Sequence, residues 1–177
     1  LITLPLERIR QREHDPDESR YLSVISKNVG YLLSITNQLL DFQKVENGKF
    51  EIHRANSSMS AIMRNTYGQF SVLCDAEGRK LDMQLPDDDI TIAVDEAAVG
   101  KILMNLMGNA VKYTRTRITM RLLRAVDGMV EIQVEDDGPG IPDADKKRIF
   151  DTFYQVSNDN VAKMMGTGLG LAFSKTI

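Results

Sequence analysis

Two asparagines, an acidic turn and a glycine triplet are the residues of this chain best suited to do chemistry. They run in order as Asn105-Leu-Met-Gly-Asn109-Ala-Val-Lys112, Asp136-Asp-Gly138-Pro-Gly140 and Gly166-Thr-Gly168-Leu-Gly170. Asn105 and Asn109 stand one helical turn apart, on one face of an apolar helix. Asparagine is a poor helix-interior residue and a poor core residue, so a pair at this spacing asks for a reason. A carboxamide oxygen is a hard, neutral ligand suited to Mg²⁺, which keeps waters and substrate phosphates in its shell. The pair fits equally well as two amides bonding nearby backbone. Lys112, three residues beyond Asn109, can reach phosphate.

The acidic turn follows directly on a strand-like segment. Gly138 and Gly140 let a ligand approach closely, and a carboxylate there could accept a hydrogen bond from an exocyclic amine such as that of adenine. In isolation the segment reads as an ordinary acidic turn. The glycine triplet is neither a P-loop nor a Rossmann fingerprint. The first needs Lys and Ser or Thr after its last glycine, the second a glycine three positions after Gly168, and both requirements fail at Leu171. What remains is a glycine-rich loop entering a helix, whose free N–H groups and dipole favour phosphate. Together the three segments offer a metal ligand, a carboxylate beside a tight turn and a backbone able to wrap phosphates, which points to a nucleotide site.

These residues need elements to hold them. Residues 19–47 carry the clearest helical pattern, with Leu22, Ile25, Val29, Leu32, Leu39 and Leu40 at three-and-four spacing and Thr36 interrupting the stripe. Asp17 or Ser19 can cap its start and Asn47-Gly48 supplies a stop. Residues 1–12 carry a shorter helical pattern, with Asp15-Pro16-Asp17 as the turn between. The seam of such a hairpin is too apolar for water, so it predicts either a four-helix bundle with a second hairpin or packing on its own domain. After Gly48 the pattern predicts a strand at 50–53 and a helix over 57–77 with Met59, Ile62, Met63, Phe70 and Leu73 inward. Strands are predicted at 80–85 and 90–94, and a helix over 96–113. Strands at 118–123 and 129–135 follow, around an Asp127-Gly128 hairpin turn. Residues 154–166 read as a mobile loop, with helix again from 168. The fold class is α+β: a two-layer α/β sandwich, mixed sheet with helices on one face, preceded by a helical hairpin.

Composition narrows the function classes. The chain has 177 residues, 42% hydrophobic and 27% charged, with a formal net charge of -3. That argues against a nucleic-acid partner, which usually goes with a basic surplus. A single cysteine, Cys74, excludes an internal disulfide and a thiolate zinc site and suits a reducing, cytoplasmic compartment. No apolar stretch approaches the roughly 20 residues that span a bilayer, so no membrane contact by these residues is expected. The sequence opens without Met in mid-pattern and reads as an excised fragment.

Residues 105–114, 134–142, 149–154 and 166–171 resemble, in order and spacing, the four sequence boxes of sensor histidine kinases. Leu39-Leu-Asp-Phe-Gln-Lys-Val-Glu46 is similar to the end of the second helix of their dimerisation domain, and the opening residues are similar to the stretch after the acceptor box in hybrid sensors. The resemblance implies a Bergerat-type ATP-binding catalytic domain over 49–177, its C-terminal end truncated, and a truncated dimerisation hairpin over 1–48. It implies Mg-ATP binding, γ-phosphoryl transfer to a histidine, and relay to the receiver domain of a response regulator. It also implies a homodimer through the hairpin and a parent that is an inner-membrane sensor, this part lying on the cytoplasmic side.

Position by position, the resemblance makes Asn109 the Mg²⁺ ligand, with Asn105 on the same face beside the phosphates and Lys112 touching phosphate. Tyr113 lies by the base, Asp136 holds the adenine amine, and Gly138, Gly140 and Ile141 shape that wall. Phe150 and Phe153 anchor a lid, Phe153 counting as a nucleotide contact. Gly166, Thr167, Gly168, Leu169 and Gly170 close over the triphosphate.

Two departures stand out. The acceptor box is absent: neither His14 nor His53 is followed by the expected acidic and basic partners, so the fragment is not expected to phosphorylate itself. Thr152 replaces a basic residue common in the phenylalanine box, which removes one expected phosphate contact. Related ATPases of the gyrase, mismatch-repair and chaperone types are expected to carry a glutamate where Asn105 stands. Asn cannot act as a base, so hydrolysis is disfavoured and transfer to a protein acceptor favoured. The alternative reading is a degenerate kinase serving as dimerisation scaffold and nucleotide-sensing module.

Overall fold

A computed structural model of the chain describes residues 3, 9, 15–124, 129–156 and 166–177. The first helix of the expected hairpin (apart from Thr3 and Ile9, both helical), His14, the Asp127-Gly128 turn and residues 157–165 of the expected loop lie outside that set.

The long helix α1 covers Pro16–Glu46 and starts earlier than expected. Its cap is Asp15, neither Asp17 nor Ser19. The Asp15 carboxylate accepts from the backbone N–H of Asp17 at 2.8 Å and of Glu18 at 2.9 Å. Pro16, with no N–H to satisfy and φ pre-set, is at home in the first turn and extends the helix back to that cap. Of the apolar stripe, Leu22 and Val29 are half-buried, while Ile25, Leu32, Leu39 and Leu40 are exposed.

Past Gly48 the chain runs without regular structure through residues 51–54, and the strand expected at 50–53 forms instead as β1, Ala55–Ser58. The reason is visible at His53, whose backbone N–H donates to the Asp95 side chain at 2.8 Å rather than to a neighbouring strand. Helix α2, Met59–Ala76, is capped by Ser58 and buries Met59, Ile62, Met63 and Cys74. Leu73 does not turn inward but is 43% exposed, its place taken by Cys74 one position on. Burial raises the Cys74 thiol above its ordinary range, so it behaves as a small core residue.

Strands β2, Lys80–Gln84, and β3, Thr91–Val94, lead to helix α3, Glu96–Tyr113, which begins at the expected residue with Asp95 as its cap. Strands β4, Arg117–Arg124, and β5, Val130–Asp136, follow, and a short helix α4, Gly170–Thr176, closes the described chain. β1 pairs antiparallel with β3. In the three-stranded sheet β4 is central, parallel to β2 and antiparallel to β5, so the expected mixed pairing is present, split over two sheets.

Period-two alternation places Leu81, Ile118, Met120 and Leu122 on the face covered by α2 and α3, where with Met63, Leu103 and Met107 they form the core. The opposite face of the same strands carries Lys80, Asp82, Gln84, Arg121 and Glu135, partly ion-paired to one another. Helices on one face of a mixed sheet make a two-layer sandwich. No helix among the described residues is long and apolar enough to cross a membrane.

Candidate functional site

The site residues gather where the C-terminal half of α3 meets the end of β5. Asp136 is the last residue of β5 and pairs with Ile118, so it shares the helix-covered face of the sheet. Its Oδ1 accepts the Gly138 backbone N–H at 2.8 Å. Gly138 in turn lies directly against the end of α3. A Cβ there would fall 2.5 Å from Asp136 Oδ1 and 2.7 Å from the Tyr113 carbonyl oxygen, closer than any side chain allows. The glycine is therefore required by space: it lets the carboxylate of Asp136 and the last turn of α3 form one wall. The Tyr113 ring is 40% exposed, with the Lys112 ammonium 4.9 Å from its centroid. Ile141 is also exposed beyond this wall.

One residue on, Asp137 points the other way and is fully engaged. Its Oδ1 accepts the Thr114 hydroxyl at 2.6 Å and the backbone N–H groups of Arg115 and Thr116 at 2.8 and 3.0 Å. Its Oδ2 accepts the Thr116 hydroxyl at 2.5 Å. The Thr114 hydroxyl also lies 2.9 Å from the Arg117 carbonyl. It carries one proton, and the nearer, charged acceptor takes it. These bonds, Thr114 first, hold the Asp137 carboxyl far below the usual carboxylate range.

Asn105 and Asn109 do share a face of α3, but Asn105 is committed to a neighbour. Its Nδ2 donates to the Gly170 carbonyl at 3.2 Å and to the Ser174 hydroxyl at 3.3 Å, tying α3 to the start of α4. Asn109 is half-buried, and its side chain makes no hydrogen bond among the described residues, so its carboxamide oxygen is available to a ligand. No cluster of three His, Cys, Asp or Glu that could hold a metal occurs among the described residues. A cation here would rely on amide and ligand oxygens, the donor set that Mg²⁺ accepts.

The glycine triplet is built on a second close approach. Gly168 has φ +70°, and a Cβ on it would sit 2.6 Å from the Phe153 backbone carbon. Phe153 itself has φ 62° and donates its N–H to the Gly168 carbonyl at 3.0 Å. Gln155 Nε2 reaches the Gly166 carbonyl at 2.8 Å, so residues 153–155 and 166–168 are bonded side by side. The Phe153 ring is 64% exposed and Phe150 is exposed beneath the Lys175 ammonium. The expected phosphate contact Thr167 is occupied: its hydroxyl lies 2.7 Å from Gln38 Oε1 on α1 and 3.2 Å from the Leu169 N–H. Leu169 is buried in the domain.

Helix α1 is held beside this end of the site by a second link, Lys101 Nζ to Asp41 Oδ2 at 2.6 Å. The same ammonium lies near the Phe50 and Phe173 rings, which meet edge to face at 5.8 Å. Between α1 and helices α2, α3 and α4 runs a cleft of about 880 Å³. Asn105, Leu169 and Gly170 line it, whereas Tyr113, Asp136 and Gly138 do not. This cleft thus lies between α1 and the domain, and the wall at Asp136 stands outside it. Sequence reasoning missed Asp137, Gln38 and Lys101. Thr114-x-Thr116 and the doubled acid are turn-forming residues, but partners 21 to 23 positions apart cannot be matched from one sequence.

Residues 94–177 match the model of the histidine kinase-, DNA gyrase B- and HSP90-like ATPase family. The chain is 33% identical over 172 residues to a sensor-like histidine kinase of Rhizobium meliloti, covering 96% of this chain and 31% of that protein. It is 27% identical over 177 residues to the autoinducer 2 sensor kinase/phosphatase LuxQ of Vibrio vulnificus, covering 96% of this chain and 20% of that protein. The chain therefore spans less than a third of the length of these curated relatives. Among solved structures, full-length ShkA in complex with AMPPNP superposes with a TM-score of 0.76 at 25% identity, over 98% of this chain and 38% of that one.

Proposed function

We infer the function of this chain from its family: it belongs with the sensor histidine kinases, residues 94–177 being a histidine kinase-, DNA gyrase B- and HSP90-like ATPase domain of Bergerat-type fold. We propose that it binds Mg-ATP and serves as the phosphoryl donor half of a protein-histidine kinase. The acceptor is a histidine absent from these 177 residues, and the phosphoryl group passes onward to a response-regulator receiver domain. We further propose residues 1–48 as part of a dimerisation hairpin and residues 49–177 as the catalytic domain, with the whole acting on the cytoplasmic side of a membrane-anchored sensor. The exposed Ile25, Leu32 and Leu40 of α1 support a second copy as the hairpin's partner.

The observation that carries the reading is the wall at Asp136. Gly138 occupies one carboxylate oxygen, leaving the other to accept from an exocyclic amine, while the missing Cβ keeps that wall flush with Tyr113. Asn109 supplies an amide oxygen for Mg²⁺, whose charge neutralises developing negative charge on phosphate. Lys112 adds a cation on the same helix turn. Asn105 has no basic group to activate water, and its amide is spent joining α3 to α4. Positioning plus charge neutralisation is what transfer to a protein acceptor requires.

Titration calorimetry of the chain with Mg-ATP is expected to give a dissociation constant between roughly micromolar and millimolar, the usual range for enzyme substrates. Asp136→Asn is expected to weaken it by about a hundredfold, roughly 2–3 kcal/mol for a lost charge-assisted bond. Undiminished binding by Asp136→Asn would overturn the site assignment.

A further inference from the structure

Asp137 stands between Asp136 and Gly138, yet its carboxylate and its N–H are both directed at residues 114–117 rather than at the wall those two residues form. Successive strand residues point to opposite sides, and Asp137 uses that reversal to reach the turn between α3 and β4. Its carboxylate takes four donors from three consecutive residues, Thr114, Arg115 and Thr116, at 2.5 to 3.0 Å. Its own N–H donates to the Arg117 carbonyl at 3.2 Å, so the whole turn is gripped from both sides. Thr114 is buried and caps α3, its N–H bonding the Ala110 carbonyl at 2.8 Å. The residue before it, Tyr113, is the one whose carbonyl presses on Gly138.

The chain is therefore stitched twice at one place. Asp136 and Gly138 make one wall with Tyr113, while Asp137, between them, anchors the residues that follow Tyr113. We propose that Asp137 is a positioning residue for nucleotide recognition: by clamping the 114–116 turn it fixes the register between the Asp136 carboxylate and the Tyr113 end of α3, and so sets selectivity for a base with an exocyclic amine at that place. The inference rests on the nucleotide-binding reading and adds to it the residue that holds the base wall in shape. The strength with which the carboxyl stays ionised agrees with this role, since a protonated group could not accept all four bonds.

The test measures Mg-ATP and Mg-GTP binding to the full chain by calorimetry, with thermal unfolding of each variant alongside. Asp137→Ala is expected to raise the ATP dissociation constant about tenfold and to lower the ATP-over-GTP preference by a similar factor. Asp137→Asn keeps an oxygen for Thr114 and the backbone donors, and is expected to restore both within about threefold. A general loss of stability would weaken both nucleotides alike and would not be rescued by Asn, and that result would overturn the proposal. Wild-type affinity and preference in a folded Asp137→Ala, with Asp136→Asn severely impaired, would overturn it too while leaving the binding reading intact. Undiminished binding in Asp136→Asn would remove the binding reading itself. Should Asp137→Ala not fold, Thr116→Val decides. It deletes one of the four donors, and a twofold to threefold rise in the ATP constant with a reduced preference supports the clamp. No change overturns it.

Discussion

The two ends of the proposed nucleotide site are built on different plans. At the base end, Asp136, Gly138 and Tyr113 come from α3 and β5 of the sandwich itself, and Asp137 locks them with short bonds to the intervening turn. At the phosphate end, the glycine-rich stretch is held by groups that have other uses. Thr167 is bonded to Gln38 of α1, and Asn105 to Gly170 and Ser174 of α4. The base end is pre-organised, with few polar groups to re-partner when a ligand arrives. The phosphate end must exchange internal bonds for ligand bonds, so part of its binding free energy is consumed. Affinity in such a site comes from the rigid wall, and sensitivity to the rest of the protein comes from the other side.

The largest effect that would break this contrast comes from filling the two crowded glycines. Gly138→Ala forces a Cβ to within 2.5 Å of Asp136 Oδ1 and 2.7 Å of the Tyr113 carbonyl oxygen, and is expected to weaken Mg-ATP by at least about thirtyfold in calorimetry, with some loss of thermal stability because the end of α3 must shift. Gly168→Ala meets both a φ of +70° and the Phe153 backbone, and is expected to lower stability by about 1–3 kcal/mol while costing less affinity. Equal effects on binding would erase the distinction between the ends.

Next comes the metal. Asn109→Ala is expected to weaken binding about tenfold in Mg²⁺ and scarcely at all when the metal is chelated, a difference a fluorescent nucleotide titration reads directly. Gln38→Ala frees the Thr167 hydroxyl from α1 and is expected to tighten Mg-ATP about twofold to fivefold, within the net worth of one hydrogen bond. Weaker binding instead would mean that the α1 contact supports the phosphate end.

The smallest effect is on pH dependence. A lowered folded-state value means that the unfolded chain takes up the Asp137 proton more readily. The group therefore contributes its full stability above about pH 4, the ordinary carboxylate range, and loses it as pH falls. The gap in melting temperature between the wild type and Asp137→Asn is expected to be widest near neutral pH and to narrow below about pH 4.

The sandwich was legible where sequence pattern and burial agree. Helix α3 begins and ends at the predicted residues because Asp95 caps it and its apolar positions fall on one face. In β2, β4 and β5 apolar and polar residues largely alternate along the sequence, because one face packs on α2 and α3, although Thr119 on the other face is buried as well. The strand expected at 50–53 failed because its backbone donor is taken by Asp95, a partner 42 residues away. Leu73 and Cys74 show the same limit on a smaller scale, since adjacent apolar residues at a helix end leave the inward choice to tertiary contacts. At the site, Asp136 and the glycines could be proposed from spacing alone. The clamp by Asp137 and the reach of Gln38 to Thr167 could not, because both are bonds across long separations between residues that look like ordinary turn and helix-surface positions.

The pairing of Phe153 with Gly168 and of Gln155 with Gly166 has a consequence for chain length. The entropy of closing a flexible loop grows only with the logarithm of its length, about 0.6 kcal/mol for each doubling. Among the described residues, closing bonds 3.0 and 2.8 Å long join the two ends. Residues added or removed in the span would alter that entropy slightly while Thr167 and Gly168 stay where they are. The position of the glycine triplet is thus fixed locally, by the residues that flank the span, and carries little of the cost of closing it.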